Sequence, residues 1–362
     1  MCLTVEIIPF AKTVLETYYI KNLDFADRFL ILMSNAVLGG NIMERRIVFR
    51  AYFFSILLMT AAQAANPLFP SPAVFTADPD AHMWKDGKLY VYMTSDEGTP
   101  PVQKPWINFD KMKRWYVSCT EDLKTWSEPK LILCIDDIAW VKGCAWAATA
   151  AYDPKTDKYL FYFSVKTVDN NWAVGIAESN SPEGPFTNPT ILLQDDAEHI
   201  WGIDPCVLVD DDGKVYIYCQ DSMAQLSGDF RSVKKGTIKK LKDVNTLLEF
   251  PKDENGKLIA LEGPFVFKKD GTYYLLVSAF GYGKIAYLTS KHPLGPFRYR
   301  GIVMDSDTEL GGNNHSSAVK FKDKWLMFYH RHEKPCLRRV CVDELKIKNG
   351  RLQPVHRTND GP

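Results

Sequence analysis

One phrase of sequence is written five times along this chain, and it leaves few folds open. Asp78 opens DPDAHMWKDGKLYVYMTS, Trp146 opens WAATAAYDPKTDKYLFYFS, Asp204 opens DPCVLVDDDGKVYIYC, Glu262 opens EGPFVFKKDGTYYLLVS and His315 opens HSSAVKFKDKWLMFYH. Each phrase is a short apolar run, a tight polar turn and a second run rich in aromatic and β-branched residues, the pattern of a β-hairpin. The openings recur at intervals of 68, 58, 58 and 53 residues. That is the length of one four-stranded propeller blade and too long for the usual solenoid repeats. The expected fold is therefore all-β, a five-bladed β-propeller. In such a ring the first residues of the innermost strands converge on the central channel, so Asp78, Asp204, Glu262 and His315 should meet despite their separation in sequence.

Residues 66–362 hold all five repeats and are assigned to the propeller. Between the openings lie outer strands, and a Pro-x-Gly-Pro-Phe turn recurs at Pro182–Phe186 and Pro293–Phe297, a further mark of duplication. Residues 43–65 are different: Met43-Glu44-Arg45-Arg46, an apolar run from Ala51 to Ala61 and the small-residue end Ala62-Gln63-Ala64 have the three parts of a secretory signal peptide. The run is too short to cross a bilayer. The chain is therefore expected to be exported, periplasmic or secreted, with no membrane contact beyond the signal. Residues 1–42 are an uncertain extension, consistent with a true start at Met43.

Composition narrows the partner. Lys plus Arg and Asp plus Glu are both 44, so no net field draws the protein to nucleic acid or an anionic membrane. The 13% aromatic content suits strands and also suits stacking on sugar rings. Without Cys2, seven cysteines remain, an odd number with no zinc-like spacing; most read as small core residues, with Cys336 to Cys341 the one short-range pairing considered. The basic run around Lys234 to Lys242 reads as a solvated rim.

From about Asn66 onward the chain resembles glycoside hydrolase family 43, a five-bladed propeller family of arabinofuranosidases, xylosidases and arabinanases. ADPDAHMWKDGKLYVY, IDPCVLVDDDGKVYIY and LEGPFVFKKDGTYYLLVS are similar to its three signature blocks, in the same order. The resemblance implies Asp78 as general base, Glu262 as general acid and Asp204 as the carboxylate that tunes the acid's pKa and orients it. GGNNHSSAVKFKDKWLMFYH resembles the fifth-blade block, which implies that His315 lies on the channel floor, where in some members it orders a hydrated calcium; no cofactor is otherwise required. Arg339 in LRRVCVDEL resembles the arginine that reaches the substrate. Cys206 departs from the usual serine, and WAATAAYD lacks a proline often found there.

The residues support the same chemistry independently. Hydrolysis of a glycosidic bond needs one protonated carboxyl for the leaving oxygen and one ionised carboxylate to activate water. Glu262, between Leu261 and Gly263-Pro264 and facing other carboxylates, is placed for a raised pKa. Taken singly, an Asp before Pro is as readily a turn cap, and His315 as readily a structural histidine; the set carries the reading. Trp146, Trp201 and Trp140 stand at or before blade openings, where they line a sugar pocket or pack the core. Asp78 and Glu262 open non-adjacent blades, so they should face each other with room for a water, which predicts inversion. The expected activity is release of α-L-arabinofuranosyl or β-D-xylosyl groups from plant polysaccharides or oligosaccharides. A non-catalytic carbohydrate-binding propeller and a glycoside phosphorylase are the alternatives.

Overall fold

Each repeat folds as a meander of antiparallel strands in which sequence order is spatial order. The computed structural model describes residues 66–69, 74–97, 109–194, 202–241, 261–279, 283–305, 315–334 and 337–362. The extension 1–42, the signal segment 43–65, Trp201 and Cys336 lie outside the described residues. Blade one is β1 (Phe75–Met83), β2 (Leu89–Asp96), β3 (Arg114–Thr120) and β4 (Lys130–Cys134); blade two is β5 (Val141–Asp153), β6 (Lys158–Thr167), β7 (Trp172–Ser179) and β8 (Thr187–Ile191). Blade three is β9 (Pro205–Val209), β10 (Val215–Cys219), β11 (Ser222–Leu226) and β12 (Lys239–Lys240); blade four is β13 (Leu261–Lys269), β14 (Thr272–Ala279), β15 (Lys284–Ser290) and β16 (Arg298–Met304). Blade five has β17 (Ser316–Phe321), β18 (Lys324–Lys334) and β19 (Leu337–Glu344), and a small hairpin of β20 (Ile347–Lys348) and β21 (Arg351–Leu352) follows.

The innermost strands touch in the order β1, β5, β9, β13, β17, and β17 returns to β1, which closes the ring of five blades. Burial follows position in the blade. All eight residues of β2 are buried, because both its faces meet neighbouring blades, whereas the outer strand β8 is largely exposed. The core is accordingly divided among blade interfaces: Trp115, Phe161 and Phe163 fill the seam of blades one and two, and Phe265, Leu276 and Met327 belong to the seam of blades four and five. Asp270 and Gly271 both have positive φ (48° and 66°), the two-residue turn the Asp-Gly signal predicts between β13 and β14.

Blade five is completed by the start of the described chain. The Leu68 amide donates to the Val340 carbonyl at 2.9 Å and the Val342 amide to Asn66 Oδ1 at 2.8 Å, so residues 66–68 run along the outer edge of β19 where a fourth strand would lie. Cys341 is a buried free thiol, which removes the pairing with Cys336. Among the described residues no helix is long and apolar enough to cross a membrane.

Candidate active site

The carboxylates are aimed by a shared backbone irregularity. Asp78, Asp204 and Gly263 each precede a proline and each hold a left-handed φ, at 49°, 55° and 58°. In blades one and four the strand register jumps across this point, from Ala77 to Asp80 and from Glu262 to Phe265. These are β-bulges, which re-aim a side chain out of the ladder. The residue equivalent to Asp78 and Asp204 is therefore Gly263, and Glu262 lies one position earlier, on the regular ladder opposite Ser278. The sequence repeats alone put Glu262 at that position, but the structure offsets the fourth repeat there by one residue. Aspartate tolerates the left-handed region better than most side chains, and glycine suits the third site.

Hydrogen bonds pin each irregular turn. The Asp78 amide donates to His330 Nδ1 at 3.2 Å; the Asp204 amide donates to Ser164 Oγ at 2.8 Å, whose hydroxyl donates to the Ala147 carbonyl at 2.8 Å. Gly202 lets this approach happen, because a Cβ there would lie 2.4 Å from the Trp172 carbonyl carbon. The Gly263 amide then donates to Asp204 Oδ2 at 3.1 Å, so the blade-three carboxylate grips the backbone beside Glu262. Glu262 itself is partly buried.

Asp78 is the most heavily held of the three. Its Oδ1 accepts from Arg338 Nη1 at 2.7 Å and lies 3.2 Å from His315 Nδ1, and its Oδ2 accepts from Thr94 Oγ1 at 2.8 Å. Burial alone would raise this carboxyl, but Arg338 and His315 outweigh it and hold Asp78 well below the usual carboxylate range. Arg338 also forks onto Asp96, with Nη2 to Oδ1 at 2.7 Å, and both side chains are almost wholly buried. His315 bridges two blades' carboxylates, with Nδ1 toward Asp78 and Nε2 3.4 Å from Asp204 Oδ1. Burial disfavours its charge, yet the two carboxylates prevail and hold its pKa well above the usual imidazole range. His330 goes the other way: burial and then Arg338 push it well below that range, so it is neutral and its Nδ1 accepts the Asp78 amide.

The structure thus links Asp78, His315, Asp204 and the Gly263 amide beside Glu262. It does not place Arg339 among them. The Arg339 guanidinium lies over the Phe75 ring at 4.2 Å and donates to the Phe69 and Val74 carbonyls; the arginine at Asp78 is its neighbour, Arg338. Successive residues of β19 point to opposite faces, so an error of one residue moves the charge away from the channel. Trp146 is partly buried, its indole donates to the Phe109 carbonyl at 3.0 Å, and its ring lies 4.5 Å from Trp172, next to the Ala147 carbonyl that anchors Ser164. Trp140 packs beside Phe163 in the seam of blades one and two. Sequence alone offers Arg338 only beside Arg339, as a cation for phosphate, and does not single out His330, Asp96 or Thr94; the available signal is a polar residue inside an otherwise buried run.

Both ring nitrogens of His315 face carboxylate oxygens, Nδ1 that of Asp78 and Nε2 that of Asp204. Among the described residues no group of three or more His, Cys, Asp or Glu side chains could hold a metal ion.

Comparison with known proteins agrees with this geometry. A model of the glycosyl hydrolases family 43 matches residues 66–352. A "Beta-xylosidase" of Xylanibacter ruminicola is 29% identical over 297 residues, covering 74% of this chain and 90% of that protein. A "Xylosidase/arabinosidase 43A" of Humicola insolens is 30% identical over 301 residues, covering 71% and 88%. Among solved structures, a GH43 beta-xylosidase/alpha-arabinofuranosidase from a compost microbial metagenome, bound to xylotriose in a calcium-free form, superposes with a TM-score of 0.66 at 29% identity, over 81% of this chain and 98% of that one. A GH43_1 enzyme from Xanthomonas citri complexed with xylose gives 0.65 at 25% identity, over 85% and 98%.

Proposed function

Because this chain belongs to glycoside hydrolase family 43 and is a glycosidase of five-bladed fold, we propose that it releases β-D-xylosyl or α-L-arabinofuranosyl groups from xylan-type plant polysaccharides or their fragments, with inversion. The observation that carries the reading is the connected line from Asp78 through His315 to Asp204 and on to the Gly263 amide, which draws blades one, three and four to one place beside Glu262. Asp78 is held ionised and takes a proton from the attacking water. Glu262 gives its proton to the leaving oxygen, and Asp204 keeps the acid's backbone in position. One bond to water forms as one glycosidic bond breaks, and the two carboxyls then exchange their proton states through solvent.

Relatives named for xylosidase and arabinosidase activity, and neighbours bound to xylose and xylotriose, support this substrate class. Transfer to phosphate would want an uncommitted cation at the channel, and Arg338 is already shared between Asp78 and Asp96. Export by a signal peptide at 43–65 is part of the same proposal, since polymeric substrate lies outside the cell; it predicts a mature amino terminus near Asn66.

The test is a panel of aryl β-D-xyloside, aryl α-L-arabinofuranoside and arabinoxylan, with proton NMR of the sugar in the first minutes. Release of the anomer opposite to the substrate's is expected. Binding of these sugars without turnover would point to the non-catalytic alternative, and first release of the same anomer would overturn the water-activating role of Asp78.

A further inference from the structure

Blade four carries a second site, at the end of its strands opposite to Glu262. Glu262 pairs with Ser278, whereas Lys269, seven residues further along β13, pairs with Thr272; at the rise of a strand this separates the two ends by roughly 23 Å. At the far end lies a cleft of about 510 Å³ between blade four's outer strands and the hairpin of β20 and β21. Tyr274, Thr289 and Arg298 are cross-strand partners in adjacent strands, so they share one face, and Arg300, at the register slip of β16, reaches the same cleft. Arg300 Nε donates to Thr289 Oγ1 at 2.7 Å and Lys291 Nζ to Thr272 Oγ1 at 2.7 Å. The hairpin forms the other wall, with Arg351 beside Gly350, whose carbonyl accepts from the Tyr274 hydroxyl at 3.1 Å.

Four basic side chains, Lys291, Arg298, Arg300 and Arg351, therefore line one cleft in a protein of zero net charge. None of the four has a carboxylate at ion-pair distance among the described residues. Basic side chains elsewhere on the rim do: Lys269 pairs with Asp270, Lys284 with Asp305, Lys113 with Asp136 and Lys214 with Asp212. Cations left together without partners attract an anion, and guanidinium forks match a planar carboxylate in particular. The rest of the lining is mostly polar, with the hydroxyls of Thr272 and Ser290 and the amide of Asn349 beside His292 and Pro296, which suits sugar hydroxyls better than an apolar ligand.

We infer that this cleft binds a uronic acid residue of the same polysaccharide whose xylosyl or arabinofuranosyl groups are cut at the channel, an inference that rests on the proposed function for its substrate class. The cleft takes no part in bond cleavage. It holds a carboxylated stretch of polymer against the protein, which raises the local concentration of cleavable groups.

Affinity gel electrophoresis in gels containing glucuronoxylan or uronate-free arabinoxylan, run on the wild type and on the double variant Arg298→Glu/Arg351→Glu, tests this. Glucuronoxylan should retard the wild type at least about tenfold more strongly than the variant, and added salt should weaken the effect. Hydrolysis of aryl glycosides, measured in parallel, should be unchanged within roughly twofold because the sites are far apart, and it also reports that the variant is folded. The milder pair Lys291→Ser/Arg298→Ser should give a partial loss. Equal retardation of wild type and both variants overturns the inference, as does full displacement of glucuronoxylan by inorganic phosphate, which would mark a simple phosphate site. If no aryl glycoside is turned over, the proposed function fails while the gel still judges the cleft by itself.

Discussion

Asp78 is gripped so firmly that two properties of a base pull against each other. Arg338 and His315 keep it ionised, but a carboxylate stabilised that well is also a weak proton acceptor. Arg338 is thus where the balance is set. Arg338→Met should raise the Asp78 pKa and move the acidic limb of kcat/KM upward in pH. It leaves Asp78 and Asp96 buried without their cation, at a stability cost of about 3–5 kcal/mol; Arg338→Lys, which keeps the charge but not the fork, should fold better and move the limb much less. Arg339→Met should leave the limb in place, and a limb that moves with Arg339 instead would reverse the assignment. Glu262→Gln should slow natural substrates by roughly 10²–10⁴-fold and aryl glycosides with good leaving groups much less; equal losses would mean that Glu262 is not the acid. The carboxylates were legible because Asp-Pro and Glu-Gly-Pro stand at strand openings. Arg338 was not, because only the pairing of β18 with β19, His332 opposite Arg338 and Arg331 opposite Arg339, decides which of two adjacent arginines faces inward.

Neighbouring blades are joined by a side chain two residues after a blade opening that accepts an amide from the next innermost strand. Asp80 Oδ2 takes the Ala150 amide at 2.9 Å, Cys206 Sγ takes the Val266 amide at 3.3 Å and Ser317 Oγ takes the Ala81 amide at 3.1 Å. Blades one to two, three to four and five to one are tied in this way. Cys206, read from sequence as a departure, fills the role of an acceptor; its thiol is buried and its pKa is pushed up by burial, so it stays protonated and neutral. Cys206→Ser should keep the bond and the stability. Cys206→Val should leave the Val266 amide buried without an acceptor, lowering unfolding free energy by about 1–3 kcal/mol in urea titrations; equal midpoints for the two variants would show that the thiol contributes packing alone. The hairpins were legible at this scale because period-two alternation and Asp-Gly turns are local. The offset of Glu262 by one residue was not, because a bulge is visible only as a slip between two paired strands.

Five blades could be counted from the sequence, but the closure of their ring could not. Asn66 meets Val342 across 276 residues, a pairing that no local pattern announces. The same holds for the charged centre, where His315 of blade five sits between Asp78 of blade one and Asp204 of blade three and so ties the ring through its channel. That contact makes whole-molecule stability depend on pH with a definite sign. The His315 pKa is raised in the folded state, so its contribution is complete below the unfolded value of about 6.5 and is lost as pH rises through the folded value. The Asp78 pKa is depressed, so its contribution is complete above the unfolded value of about 3.9 and is lost as pH falls toward the folded one. Both act in full only between those two limits, and urea midpoints of the wild type should peak there and decline toward alkaline pH. His315→Gln keeps a polar group between the carboxylates but removes the titrating charge, so its midpoints should be lower at mildly acidic pH, lack the alkaline decline and meet those of the wild type toward alkaline pH. A variant whose profile runs parallel to the wild type above about pH 6.5 would assign that decline to other groups and would deny His315 its place as the cation between the blades.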